Sequence, residues 1–308
     1  MNPYALVVGE ALVDVVHRKG APAVEHVGGS PLNVAVGLGR LERPVRFVTG
    51  IGRDPRGTRI ADHLAASGVH LEPESVTAER TASAIATIDG TGAATYDFDI
   101  TWDPVLPEPD PSVLLVHTGS IAAVLEPGCE KVADLVAHQA PTATVSFDPN
   151  VRPALIADAA AGRARIDRLV DTADVVKVSD EDLAWYAPGR DPVDVAQDWL
   201  SRGPAIVAVT HGGKGAFALC RAGDVTVDVV RVEVIDTVGA GDAFTTGLLD
   251  ALWSLGLLGA ERRGDLRDIS VVDLRWAMDI AAVTAGLTVA RAGADLPSRD
   301  ERDRAVRG

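Results

Sequence analysis

Cysteine is scarce in this chain. There are 2 in 308 residues, Cys129 and Cys220, far apart and in no zinc-ligand spacing. That excludes a disulfide framework and a structural zinc site, and it suits buried thiols in a reducing compartment. The 7 histidines fall in no metal-binding pattern. No apolar run reaches the length of a membrane span. The start, Met1-Asn2-Pro3-Tyr4, lacks the basic stretch of a signal peptide, so a cytoplasmic protein is the expectation. Positive charge is also short, with 29 Lys and Arg against 44 Asp and Glu and a net charge of −15. This argues against nucleic acid and anionic membrane as partners. It does not argue against a nucleotide, whose phosphates are held locally by backbone amides and a metal. Two familiar phosphate loops are absent. Gly50-Ile51-Gly52 is followed by Pro55 where a dinucleotide fingerprint needs glycine. In His211-Gly212-Gly213-Lys214-Gly215, Gly215 stands where a Walker A loop needs Ser or Thr.

What is present reads as one α/β domain over residues 1–308, with no repeat and no second domain. Hydrophobic residues make up 47%, enough for a large core. Short apolar runs at 5–9, 45–52, 113–119, 144–147, 175–178 and 205–210 read as buried strands. Helical spacing fills the stretches between them, which predicts a mostly parallel sheet. Residues 11–17, 24–27, 81–89 and 93–100 alternate instead. They predict a small separate sheet over about 11–28 and 79–104, with a turn at Asp89-Gly90. Alternation through Val227, Val229, Val232 and Val234 predicts one more strand. Residues 272–289 predict an apolar helix whose Ala281, Ala282, Ala285 and Gly286 suit close approach by another backbone or by a flat ring. The charged tail 298–308 is expected to be solvated.

The chemistry concentrates in residues 236–247. Two loop glycines, Gly239 and Gly241, precede a helix with Phe244, Leu248, Leu249 and Leu252 on one side. Backbone N–H groups there, with the helix dipole, suit a phosphate or a developing anion. Asp242 adds a base in the same loop, although a carboxylate at that position also reads as a helix cap. Gly28-Gly29-Ser30-Pro31-Leu32-Asn33 opens another helix, and the Asn33 amide can both donate to and accept from a hydroxyl. Asp14 reads either as a turn carboxylate or as an acceptor of sugar hydroxyls. Asp148, Asn150 and Arg152 read as a polar network or as a cleft lining. Ser179-Asp180-Glu181-Asp182 satisfies a helix N-cap with acids in its first turn.

The string Asp236-Thr237-Val238-Gly239-Ala240-Gly241-Asp242-Ala243-Phe244 resembles the C-terminal signature of the PfkB (ribokinase-like) family of sugar kinases, Asp-Thr-x-Gly-Ala-Gly-Asp-x-Phe. Gly28, Gly29, Asn33 and Ala35 resemble the N-terminal signature, Asp54 and Gly57 its Gly-x-Asp-x-x-Gly element, and Thr210, Gly212 and Gly215 its nucleotide loop. The resemblance implies a ribokinase-like three-layer α/β/α domain with a small β-sheet lid over the sugar. It implies ATP-dependent phosphorylation of a sugar primary hydroxyl, with ATP and Mg²⁺. Asp242 would be the base, and the amides of Gly239, Ala240, Gly241 and Asp242 the anion cradle. Asp14, Gly28, Gly29, Asn33 and Arg152 would meet the sugar. Lys177, Ser179, Thr210, Gly212, Gly215, Gly241 and Ala282 would meet the nucleotide. Asp236 and the Gly293 turn would hold K⁺. Many relatives carry Asn-x-x-Glu where this chain has Ser179 and Asp182, so Asp182 would reach Mg²⁺ through a water. The lid also implies a homodimer.

Gly9-Glu10, residues 148–153 and residues 177–183 resemble fructokinases, which makes fructose the first expected substrate. Phe98 is followed by Asp99 and Ile100 where many relatives have Tyr-Arg. The missing cation weakens a 2-keto-3-deoxygluconate kinase and leaves ribokinase and nucleoside kinase open. A non-catalytic sugar- or nucleotide-binding regulator on the same fold is the alternative of a different class. A dinucleotide-dependent oxidoreductase ranks third for lack of a fingerprint.

Overall fold

The computed structural model describes residues 3–18, 22–88 and 94–307. The expected turn at Asp89-Gly90 lies outside them. The strands are β1 (Tyr4–Val8), β2 (Leu12–Arg18), β3 (Val24–Gly28), β4 (Val45–Val48), β5 (Val69–Leu71), β6 (Ala82–Ile88), β7 (Ala94–Asp99), β8 (Val113–Gly119), β9 (Thr144–Asp148), β10 (Val175–Ser179), β11 (Ile206–Thr210), β12 (Ala216–Cys220) and β13 (Gly223–Val227). The helices are α1 (Ser30–Arg40), α2 (Pro55–Ala66), α3 (Gly128–Gln139), α4 (Ala159–Thr172), α5 (Asp180–Tyr186), α6 (Pro192–Arg202), α7 (Ala240–Ser254), α8 (Arg263–Arg267), α9 (Val271–Val289) and α10 (Arg299–Arg307).

Nine strands form one sheet in the order β13-β12-β11-β10-β9-β8-β1-β4-β5. All pairs from β11 to β5 are parallel, and β12 and β13 add an antiparallel edge. The strands are apolar throughout because both faces are covered. Alternate residues divide between two cores. Ala5 and Val7 of β1, with Ile206 and Ala208 of β11, join the core under α1, α2, α7 and α9. Leu6 and Val8, with Val207 and Val209, join the core under α3, α4, α5 and α6. This is the expected three-layer arrangement. The remaining strands make the expected small sheet, ordered β3-β2-β6-β7. It is mixed, since β2 and β6 run parallel.

Two expectations are corrected. The strand expected through Val234 stops at Val227. Its partner β12 ends at Ala216, paired with Val227, so the ladder has no donor or acceptor beyond that point. Val229, Val234, Ile235 and Val238 are exposed. The tail is not solvated along its length. It forms α10, whose Arg302 is buried and donates to Asp250 Oδ2 at 2.6 Å. The small residues of α9 serve backbone packing. A Cβ on Gly247 of α7 would lie 2.8 Å from Ala281 Cα, and one on Gly286 would lie 2.8 Å from Val230 Cβ.

Candidate active site

The site lies at the carboxyl ends of β1, β9, β10 and β11, where open α/β sheets bind ligands. The N-termini of α1 and α7 meet there. Gly239 leads α7 with φ 77°, a left-handed conformation that favours glycine. A Cβ there would also lie 2.6 Å from Ala294 Cβ. The Ala240 N–H is already given to Thr237 O at 3.2 Å, and the first intrahelical bond runs from Ala243 N–H to Gly239 O. Of the expected cradle amides, that of Ala240 is thus engaged within the turn, while the first-turn amides of Gly241 and Asp242 precede the first intrahelical bond.

Asp242 is not a cap, because α7 has no side-chain cap bond. Its side chain turns across to α1. Ser30 Oγ donates to Oδ1 at 2.7 Å and Asn33 Nδ2 donates to Oδ2 at 2.7 Å. Ser30 is a site residue that the sequence did not single out. Its signal is the three-residue spacing to Asn33 at the start of one helix, which puts both side chains on one face. Asp242 is buried, and burial pushes its carboxyl up. The bonds from Asn33 and Ser30 pull it back, Asp148 pushes it up, and Lys177 lowers it. Burial is thus the largest influence on its charge. The Asn33 amide, expected to meet the sugar, gives one N–H to Asp242. Asn33→Ala should therefore lower kcat by about tenfold or more through misplacing the base. Steady-state kinetics that show only a raised sugar KM would make Asn33 a sugar contact and not a support of the base.

Asp14, on β2, is partly buried, and burial pushes it up while His26 and Arg152 pull it down. A Cβ on Gly28 would strike Asp14 Oδ2 at 2.3 Å, so glycine there makes room for the carboxylate. Gly29, with φ 119°, backs onto Glu10 O. Arg152 is exposed, and its Nη1 donates to Asn150 Oδ1 at 2.7 Å. Its charge lowers both Asp14 and Glu10. Asp54 caps α2 through the Gly57 N–H and also accepts from the Thr81 N–H, both at 2.8 Å. It thus pins the start of β6 to the main domain.

Glu10, noted in the sequence only as part of a fructokinase-like string, is a buried carboxylate. Burial pushes it up to about 7 from 4.5, against bonds from Ser120 and the Ala122 N–H and the Arg152 charge. A raised acid holds its proton longer folded than unfolded. Its contribution is full below 4.5 and is lost as pH rises to about 7, by roughly 3 kcal/mol at most. Glu10→Gln, which cannot ionise, should be more stable than the parent at pH 8 and show a flatter profile across that window. Urea unfolding at several pH values checks this, and an unchanged decline in the variant contradicts it.

At the nucleotide end, Lys177 and the Ser179–Asp182 pair are engaged within the protein. Lys177 does not reach outward. It is buried, with Nζ 3.0 Å from Asp148 Oδ2. Ser179 and Asp182 form a capping box at α5. Asp182 Oδ2 accepts from the Ser179 hydroxyl at 2.7 Å and Oδ1 from the Val151 N–H at 2.7 Å. Both oxygens are engaged within the protein, so its first role is to cap α5 and hold the Val151 N–H. Among the described residues no three His, Cys, Asp or Glu are grouped to hold a metal ion. Thr210 closes β11, followed by a turn with Gly212 at φ 52° and Gly215 at φ 93°. Ala282 is partly buried against the core. Asp236 and Gly293 do come together. Oδ2 accepts from the Gly293 N–H at 2.9 Å and Oδ1 from the Val238 N–H at 3.0 Å, and these bonds hold Asp236 below the usual carboxylate range.

A family model described as pfkB family carbohydrate kinase matches residues 2–301. A fructokinase from Rhizobium leguminosarum bv. trifolii is 36% identical over 261 residues, covering 80% of this chain and 79% of that protein. A solved fructokinase with bound ATP from Xylella fastidiosa superposes with a TM-score of 0.86 at 26% identity, covering 100% of this chain and 99% of the other. A double mutant of Vibrio cholerae O395 fructokinase, in a form with fructose, ADP and potassium ion bound, has a TM-score of 0.78 at 25% identity over 98% and 97% of the two chains.

Proposed function

The chain belongs to the pfkB family of carbohydrate kinases, and from that premise we propose that it moves the γ-phosphoryl group of ATP to a primary hydroxyl of fructose. The observation that carries this reading is the Asp242 carboxylate, held by Ser30 and Asn33 beside the first-turn amides of α7. The sugar hydroxyl gives its proton to Asp242 as its oxygen bonds to the γ-phosphorus. The bond from that phosphorus to the β–γ bridging oxygen breaks, and ADP leaves. The amides of Gly241 and Asp242 meet the charge on the transferring group. Asp14, Gly29 and Arg152 orient the sugar, and Thr210, Gly212 and Gly215 border the nucleotide. Mg²⁺ bound by the ATP phosphates would need few protein ligands and would offset their charge. The sheet of β2, β3, β6 and β7 is the lid that excludes water on closing, and its edge strands β3 and β7 are the proposed homodimer contact. An ADP-release assay across neutral sugars, acidic sugars and nucleosides tests the substrate. Fructose should give the highest kcat/KM, and a higher value for 2-keto-3-deoxygluconate or a nucleoside would overturn fructose.

K⁺ is part of the same proposal. The Asp236–Gly293 pair adjoins Ala294, which presses on Gly239 at the head of the cradle. A cation that orders this turn would order the cradle. K⁺ should therefore raise kcat at matched ionic strength. Equal rates in K⁺ and in tetramethylammonium would contradict it.

A further inference from the structure

Lys177 and Asp148 form a buried ion pair directly behind the catalytic turn. Their side chains are 5% and 1% exposed. Lys177 Nζ lies 2.8 Å from where a Cβ on Gly241 would stand. Gly241 is not at positive φ, so what a side chain there would meet is the ammonium, and glycine lets it approach the turn closely. The Thr245 hydroxyl lies 3.1 Å from both Asp148 Oδ2 and Gly241 O, linking the pair to the first turn of α7. Three carboxylates surround this one ammonium. Burial alone would push Lys177 down, but Asp148, Asp182 and Asp242 more than reverse that and keep it charged. Among the described residues, Asp148 Oδ1 is buried with no partner. A pair selected for stability alone would satisfy that oxygen or be apolar, since buried ion pairs contribute little net stability.

We propose that Lys177, fixed by Asp148, is a positioning residue for phosphoryl transfer, holding the Gly241 turn and setting the electrostatic environment of the Asp242 base. The inference rests on Asp242 as base. The charged groups facing Asp242 are Lys177 from β10 and Asp148 from β9. From α1 it meets the uncharged Ser30 and Asn33, and α9 packs on α7 through Ala281 and Thr284. Lys177 lowers the Asp242 carboxyl and Asp148 raises it. Removing each charge should therefore act in opposite directions.

The test is the pH profile of kcat for Lys177→Met and Asp148→Asn, with Asp242→Asn measured alongside. Lys177→Met should lower kcat by about tenfold or more, leave the sugar KM within about twofold, and move the acid limb up by ~0.5 pH unit or more. Asp148→Asn should move the acid limb down. Each variant is judged on protein that melts cooperatively, and if Lys177→Met does not fold, Asp148→Asn decides alone. Unmoved limbs, with Asp242→Asn strongly impaired, would overturn the inference and leave the base intact. Near-normal kcat in Asp242→Asn would instead remove the base and this inference with it.

Discussion

Asp242→Asn is expected to lose kcat by about 10²–10⁴-fold, the usual contribution of a general base, while the sugar Kd changes by only a few-fold. The fold should survive. The substitution removes a buried charge, Ser30 can still donate to the remaining oxygen, and Asn33 can turn its amide to accept from the new one. The backbone amides of Gly241 and of the substituted residue would still face the phosphoryl group, so some transfer persists. What is gone is the proton acceptor, and that loss is felt in the transition state rather than in ground-state binding. A folded Asp242→Asn with near-normal kcat would make this carboxylate a packing group.

The second large effect is on stability. Asp250, on the inner face of α7, is 1% exposed and meets three arginines. Arg43 Nε lies 2.6 Å from Oδ1, Arg302 Nη1 2.6 Å from Oδ2, and Arg299 Nη2 3.4 Å from Oδ1. The cluster ties α10 to the helix that carries the base. Asp250→Ala should cost about 3–5 kcal/mol, because Arg302 then stays buried without its main partner. Arg302 would still have Asp303 at 2.6 Å, but that acid sits on the next residue of the same helix and does not hold α10 to α7. The loss should appear as a lower urea midpoint with an unchanged slope. A change under about 1 kcal/mol, the scale of a surface pair, would mean that the tail is held by its other contacts.

Much of this fold was legible because apolar runs and helical spacing report burial directly. Tyr4–Val8 and Ile206–Thr210 read as strands because both faces are covered. The run to Val234 misled because alternation reports side-chain pattern and not whether a partner strand exists. The tail misled for a related reason. A composition rich in Arg and Asp suggests solvent, and only the fold brings Asp250 within reach of Arg302. At the site, the glycines and Asp242 were legible as a local string. The partners of Asp242 were not, since Ser30 and Asn33 come from more than two hundred residues away. The same holds for Lys177. Its neighbours in sequence are apolar strand residues, and its orientation toward Gly241 depends on β9 and β10 lying side by side. Asp182 shows the reverse case, where the local capping pattern was present in the sequence and proved to be the contact made.

The central claim, that Asp242 and its cradle transfer phosphoryl to a sugar, is tested most directly by phosphorus NMR of the full-length protein with equimolar ATP and fructose in Mg²⁺ and K⁺. The account predicts one fructose monophosphate formed for each ADP, with both slowed by about a hundredfold or more in Asp242→Asn. Saturable fructose binding by calorimetry, with ATP unconsumed and no sugar phosphate signal, would contradict it and make the protein a sugar-binding regulator.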